Sequence, residues 1–252
     1  AKRNILLYQT PPCRAVLGYE NEISRSMQKD CKGRQVWFTR LHDTDNGAFL
    51  RKEDNMLCMA EDGVVTPFLA QKDIKLRGLH NIENLLAAAA AVWGEVPVEA
   101  IQKVGSTFTG VEHRIEPVRT LDGVLYYNDS IGTSPTRTIA GLRSFNQKVI
   151  LIAGGYDKHI PYDVLGKPIC DHVKLLLLTG ATAPKIRDCV LAVDGEHPPI
   201  YEVENLEVAV CEAAARAEEG DVVIMSPASA SFDRFKNFME RGKLFKTLVN
   251  DL

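Results

Sequence analysis

Four polar stretches in this sequence carry side chains able to bind an anionic ligand, and each follows an apolar run. Asn128-Asp129-Ser130 and Thr133 follow residues 124–127 and precede a helix signal, Thr133-Ser134-Pro135. Gly154-Gly155-Tyr156-Asp157-Lys158 follows residues 149–153, Thr179 follows residues 173–178, and Ser226-Pro-Ala-Ser-Ala-Ser231 follows residues 221–225. If those runs are parallel strands, the stretches lie on one edge of a sheet, at its carboxyl ends, where open α/β sheets bind ligands. Lys158 supplies a cation there. Ser231 supplies a hydroxyl, expected at a helix N-terminus where free N–H groups favour an anion. With Thr133 they suit a ligand bearing two carboxylates, through charge-assisted bonds worth roughly 1.5–3 kcal/mol each. Two readings stay open for these residues alone: a binding site, or plain turn chemistry with a solvated lysine. Asn81 and Asn84 are likewise either ligand groups or helix caps. They lie three apart, on one face of a helix's first turn, with Asn81 a good N-cap.

The elements that must position these residues fall into two regions. Residues 47–75 alternate short apolar runs with turns, the spacing of a β-meander, after short strands at 15–18 and 35–39. The alanine-rich run 85–93 predicts a helix apolar on nearly all sides and hence deeply buried, followed by a helix over 98–107. The boundary is placed at residue 110, giving domains 1–110 and 111–252. Beyond it, Asp122-Gly123 joins two short strands as a hairpin, since glycine tolerates positive φ. Unbroken apolar runs then alternate with helical periods at 185–193 and 206–218, the pattern of a mostly parallel sheet with helices on both faces. Residues 232–252 read as an amphipathic helix interrupted at Gly242.

Bulk properties exclude several classes. The 252 residues are 45% hydrophobic and 25% charged, with net charge −3, so no electrostatic case exists for nucleic acid or an anionic membrane as the main partner. The longest apolar run, 85–93, falls far short of the ~20 residues of a membrane span. The first residues show no leader pattern, and the chain opens as if inside a longer one. Six cysteines are scattered without CxxC spacing, which indicates free thiols in a reducing compartment. No GxxxxGK[ST], GxGxxG, HExxH or GxSxG segment occurs in the 252 residues.

Five motifs in order carry a family resemblance: Gly-Leu-His-Asn-Ile-Glu-Asn (78–84), Glu-His-Arg (112–114), Tyr-Asn-Asp-Ser (127–130), Gly-Gly-Tyr-Asp-Lys (154–158), and Ser-Pro-Ala-Ser-Ala-Ser-Phe-Asp-Arg-Phe-Lys-Asn-Phe with Arg-Gly (226–242). Together they resemble the Mur ligases. The first three are shared with folylpolyglutamate synthases, and the last points to the D-glutamate-adding branch. The resemblance implies part of a central ATPase-type domain followed by a Rossmann-like carboxyl-terminal domain, with the rest of a three-domain enzyme lying upstream. It implies cytoplasmic peptidoglycan precursor synthesis with ATP and Mg2+ as cofactors, and D-glutamate and a UDP-linked muramoyl compound as substrates. A carboxylate is activated as an acyl phosphate and then attacked by the amine.

Carried over by position, the resemblance gives Asn81 and Asn84 to adenine and His113 and Arg114 to the nucleotide. Asp129 goes to the ribose side, and Asp129 and Lys158 form the catalytic pair. Thr133, Lys158, Ser231 and the Phe238 backbone surround D-glutamate, and Lys2 corresponds to a carbamylated lysine that organises magnesium. Ile131 departs from the pattern, since many relatives have lysine there. With the phosphate loop absent, the 252 residues alone are expected to be inactive, with an unpaired sheet edge in the first domain. Remaining alternatives are a non-catalytic module binding an amino acid or nucleotide, a ligase for another amino acid, and a nicotinamide-dependent oxidoreductase, which the missing glycine fingerprint disfavours.

Overall fold

A computed structural model describes Thr10, residues 13–76 and residues 78–252. Lys2 lies outside the described residues. The chain divides into two compact units between Thr109 and Gly110.

The first unit is built on one sheet in the order β1 (Arg14–Gly18), β2 (Arg34–Thr39), β3 (Gly47–Arg51), β4 (Met56–Glu61) and β5 (Val64–Ala70). The first three strands are parallel and the last two pair antiparallel. The meander turns use positive φ at Asn55, Asp62 and Gly63, residue types that tolerate it. A short helix, α1 (Glu22–Ser26), follows β1, and α2 (Leu79–Val92) and α3 (Val98–Thr107) follow β5. Helix α2 is buried along one stripe, Ile82, Leu86, Ala89 and Ala90, against Val36, Leu57, Met59 and Phe68 of the sheet. This corrects the expectation of burial all round. Leu79 is 53% and Val92 36% exposed, because alanine is apolar yet exposes too little surface to require covering. Arg14 Nη1 closes the helix's far end, donating to the carbonyls of Ala90 (2.9 Å) and Trp93 (2.7 Å).

The second unit has six strands: β6 (Glu116–Leu121), β7 (Val124–Asn128), β8 (Val149–Gly154), β9 (Val173–Thr179), β10 (Ile200–Glu202) and β11 (Val222–Met225). Their order is β10-β9-β8-β11-β7-β6, all parallel except β6, which forms a hairpin with β7. Every residue of β8 is buried, and its side chains alternate between two cores. Val149, Leu151 and Ala153 pack with Ile169 of α5 (Gly166–His172) and Ile186 and Val190 of α6 (Ala183–Leu191). Ile150 and Ile152 pack with Val210 of α7 (Leu206–Arg216) and Phe245 and Val249 of α8 (Phe238–Asn250). The sheet is therefore covered on both faces, as its continuous apolar strands require. Between β7 and β8 lies α4 (Pro135–Leu142), with Pro135 in its first turn after Ser134 at the N-cap position.

Two helical expectations need correction. Helix α5 was not anticipated, because its seven residues are too few to show a period. Helix α8 begins at Phe238, capped by Asn237, whose side chain accepts from the Glu240 N–H, and it continues unbroken through Gly242. That glycine serves close approach: a Cβ there would lie 2.2 Å from His113 Nδ1.

Candidate functional site

The loops at the carboxyl ends of β7, β8 and β11 are bonded to one another. Gly154 N–H donates to Pro227 O (2.8 Å) and Tyr156 N–H to Ala230 O (2.9 Å). Beneath them, Ser229 Oγ lies 2.8 Å from Thr182 Oγ1 and 2.9 Å from the Tyr162 hydroxyl, and Thr182 Oγ1 donates to Gly155 O. Gly154 and Gly155 both need positive φ and leave no room for a side chain: a Cβ would lie 2.0 Å from Thr179 O or 2.4 Å from Ala230 O. The glycine pair is thus fixed by packing.

Asp129 follows β7 and is buried, at 4% exposure. Its Oδ2 accepts from Ser226 Oγ at 2.6 Å and its Oδ1 from the Ile115 N–H at 3.2 Å. Burial pushes its carboxyl from 3.8 up to about 6, against the pull of the Ser226 bond, the Ile115 bond and the charges of Arg114 and Arg137. Asn128 is fully buried, and its amide donates to His113 Nδ1 (2.8 Å) and Glu116 Oε2 (3.0 Å) while its oxygen accepts from Ser130 N–H. The bond from Asn128 makes Nδ1 the acceptor, so the His113 proton is assigned to Nε2. That atom is buried and has no hydrogen-bond partner among the described residues. Burial lowers the His113 pKa, keeping the ring neutral. The backbone turns sharply here, with φ of 67° at His113 and 46° at Ile115, which presents the Ile115 N–H to Asp129.

Lys158 is exposed, and its Nζ donates to Thr133 O at 2.6 Å, tying the β8 loop to the β7 loop. The adjacent Asp157 is anchored by Lys185 Nζ at 2.6 Å, a bond that holds its carboxyl below the usual range. Phe238 O accepts from Ser130 Oγ at 2.7 Å. Ser231 is 2% exposed, and it does not head a helix. Its carbonyl accepts from Arg234 and Phe235 N–H groups, making a single turn, while the helix N-terminus belongs to Asn237. A local turn at 231–235 replaced the expected first turns of helix. Thr133 and Lys158 are therefore directly joined, and Asp129 and Phe238 are linked through Ser130 and its neighbours. A cleft at the ends of β8, β9 and β11 is lined by Gly154, Gly155, Thr179, Pro227 and Arg241; neither Lys158 nor Ser231 lines it.

In the first unit, Asn84 Nδ2 donates to Asn81 Oδ1 at 3.0 Å in the first turn of α2. Asn81 is not its N-cap, because Gly78, with φ of 92°, takes that position. Glu83 between them accepts from Arg40 Nε at 3.1 Å.

Glu112, His113 and Glu116 are gathered closely enough to hold an ion. The surroundings argue against it. Lys246 Nζ already sits 2.6 Å from Glu112 Oε1 and 3.0 Å from Glu116 Oε1, and the His113 Nδ1 is taken by the Asn128 amide at 2.8 Å. This group does not fit magnesium, which prefers oxygen ligands and its own waters.

Sequence reasoning missed Arg241. Its signal was available: Arg241, Phe245 and Val249 recur at four-residue steps, which places an arginine on the buried stripe of α8.

An open, mostly parallel α/β sheet with polar loops gathered at its carboxyl edge defines a Rossmann-like domain. Residues 113–229 match the family described as Mur ligase, glutamate ligase domain. The chain belongs to the Mur ligase family. It is 51% identical over 257 residues to the UDP-N-acetylmuramoylalanine--D-glutamate ligase of Acetivibrio thermocellus, covering 100% of this chain and 55% of that protein. It is 47% identical over 255 residues to the ligase of the same name from Clostridium novyi, covering 100% and 54%. The chain thus spans about half the length of the curated relatives it matches. Among solved structures it resembles MurF from Acinetobacter baumannii, with TM-score 0.66, 15% identity and coverage of 100% of this chain and 54% of that one. It also resembles the Yersinia pestis bifunctional folylpolyglutamate synthase/dihydrofolate synthase complexed with AMPPNP and a Mn ion, with TM-score 0.65, 15% identity and coverage of 98% and 56%. Among the described residues no helix is long and apolar enough to cross a membrane.

Proposed function

We propose that this chain is part of an ADP-forming ligase that adds D-glutamate to UDP-N-acetylmuramoylalanine in cytoplasmic peptidoglycan precursor synthesis, using ATP and Mg2+. The observation that carries this reading is 51% identity along the entire chain to a ligase of that name. In this reading residues 1–110 contribute to ATP binding and residues 111–252 hold the incoming amino acid.

ATP, when bound, supplies the phosphoryl group that turns a carboxylate into an electrophile. The chain's own residues bind and orient. Lys158, held on the Thr133 carbonyl, offers its remaining ammonium protons to a carboxylate of D-glutamate, and Thr133, Ser231 and the Phe238 backbone complete the amino-acid site. Fixing the amine beside its electrophile makes the second step effectively unimolecular. His113, with a buried Nε2–H lacking an acceptor among the described residues, and Arg114 face the nucleotide, with Asp129 on its ribose side. Asn81 and Asn84, in the first unit, serve the adenine. No described group fits the magnesium, so no step is assigned to it.

The reading is tested by calorimetric titration of D-glutamate into the chain and its Lys158→Ala variant. Removing the ammonium is expected to cost about 1.5 kcal/mol or more; equal binding by both would refute the site. A second reading, that the 252 residues bind without turning over, is favoured by the absence of a GxxxxGK[ST] segment. ADP release by the purified chain, dependent on both substrates, would refute it.

A further inference from the structure

Arg241 is 5% exposed and sits on α8 four residues before Phe245, in a helix face otherwise given to the core. Its guanidinium reaches two of the loops that carry the candidate site. Nε donates to Ser130 Oγ (3.1 Å) and Nη2 to Ser130 O (3.0 Å), both on the β7 loop. Nη2 also donates to Ser229 O (3.1 Å) and Nη1 to Ala230 O (3.1 Å), on the β11 loop. The β8 loop presses against the same group, since a Cβ at Gly155 would lie 3.2 Å from Nη1. All four acceptors are uncharged oxygens, and Arg241 forms no ion pair with a carboxylate among the described residues.

A buried cation is unfavourable for folding; the charge of Asp233, which lines the same cleft, offsets only part of the burial cost, and a well-packed apolar side chain of similar volume would serve stability as well or better. Deprotonation offers no escape: burial lowers Arg241 only to about 10, so the charge persists at neutral pH. The charge therefore serves something other than stability. We infer that Arg241 is a positioning residue of the amino-acid site: it ties the β7 and β11 loops together against the β8 loop, and its charge, only partly offset by Asp233, favours the anionic groups of the bound ligand. This rests on the reading of that site as one for an acidic amino acid.

D-glutamate is titrated into the 252-residue chain, Lys158→Ala, Arg241→Lys and Arg241→Gln, with urea unfolding of each. Lysine keeps the charge and loses the fork; glutamine loses the charge. Arg241→Lys is expected to bind within about threefold of wild type and Arg241→Gln at least about tenfold more weakly, both unfolding cooperatively. Wild-type affinity in Arg241→Gln, or an equal loss in both variants, overturns the proposal. If Arg241→Gln does not fold, Ser130→Ala decides by removing the Nε acceptor: about threefold weaker binding supports the proposal, and unchanged binding overturns it. If wild type fails to bind D-glutamate, or Lys158→Ala binds equally well, the site reading itself fails and takes this inference with it.

Discussion

Replacing Asp129 with asparagine should stabilise the fold. The side chain is 4% exposed, and burial raises its carboxyl from 3.8 to about 6. The folded chain thus holds this proton more tightly than the unfolded chain. Stability falls as pH rises between those two values, and the full penalty is present above the folded pKa. At about 1.36 kcal/mol per pH unit the charged form costs about 3 kcal/mol at neutral pH. Asparagine removes that cost and can keep both bonds: Oδ1 still accepts from the Ile115 N–H, and the amide can donate to Ser226 Oγ. Asp129→Asn should therefore exceed wild type by about 1–3 kcal/mol at pH 7.5, and the difference should vanish near pH 4. The assay is urea unfolding at half-unit steps from pH 4 to 7.5, following the transition of the second unit. Parallel stability curves for the two proteins, or a variant weaker than wild type by more than about 1 kcal/mol at pH 7.5, would show that the carboxylate is stabilised where it sits.

Gly242→Ala places a methyl 2.2 Å from His113 Nδ1; the overpacking outweighs the ~1 kcal/mol of helix propensity gained and should lower stability by a net 1–2 kcal/mol, about, in the denaturation midpoint. Arg119 Nη1 donates to the last carbonyls of α8, Val249 (3.0 Å) and Asn250 (2.9 Å), so Arg119→Ala should destabilise by about 1 kcal/mol and raise amide exchange in that last turn. Lys246→Ala leaves Glu112 and Glu116 without their shared cation. Because the site is partly exposed, the loss should stay below about 1 kcal/mol and shrink with added salt; a larger, salt-independent loss would contradict the assignment.

The parallel sheet was legible because its strands are buried on both faces and so read as unbroken apolar runs, β8 most plainly. The meander was legible through its turn residues at 52–55 and 61–63. Burial of α2 was not, since alanine at 87, 88 and 91 is apolar by type and yet faces outward or stands half-covered. Gly242 misled for a related reason: propensity marks a break, but the glycine answers a neighbour, His113, that lies 129 residues away in sequence. At the site, the loops could be found from their position after strands, and the Thr133–Lys158 tie is a short-range consequence of that edge. The network among Asn128, His113 and Asp129 could not, because it depends on two left-handed residues, His113 and Ile115, that no sequence rule announces.

The second unit holds two buried opposite charges that are not paired. Asp129 is directed to Ser226 and Ile115, and Arg241 to the carbonyls of Ser130, Ser229 and Ala230. Ser130, the residue after Asp129, is bonded by Arg241 through both its hydroxyl and its carbonyl. Joining the two would compensate both charges, yet each makes its hydrogen bonds with neutral groups and meets opposite charge only through space, Asp129 from Arg114 and Arg137 and Arg241 from Asp233. Small residues leave room for the carboxylate: a Cβ at Gly132 would reach within 2.7 Å of Asp129 Oδ2 and one at Gly141 within 3.3 Å. Folding alone gives no reason for this separation, since an ion pair or an apolar pair would be more stable. The proposed site would give one: there the carboxylate would serve hydroxyl or N–H donors of the nucleotide, and the guanidinium the anionic groups of the amino acid. On that proposal the instability stored in these two side chains is the counterpart of a preformed site, held by the backbone bonds between its loops.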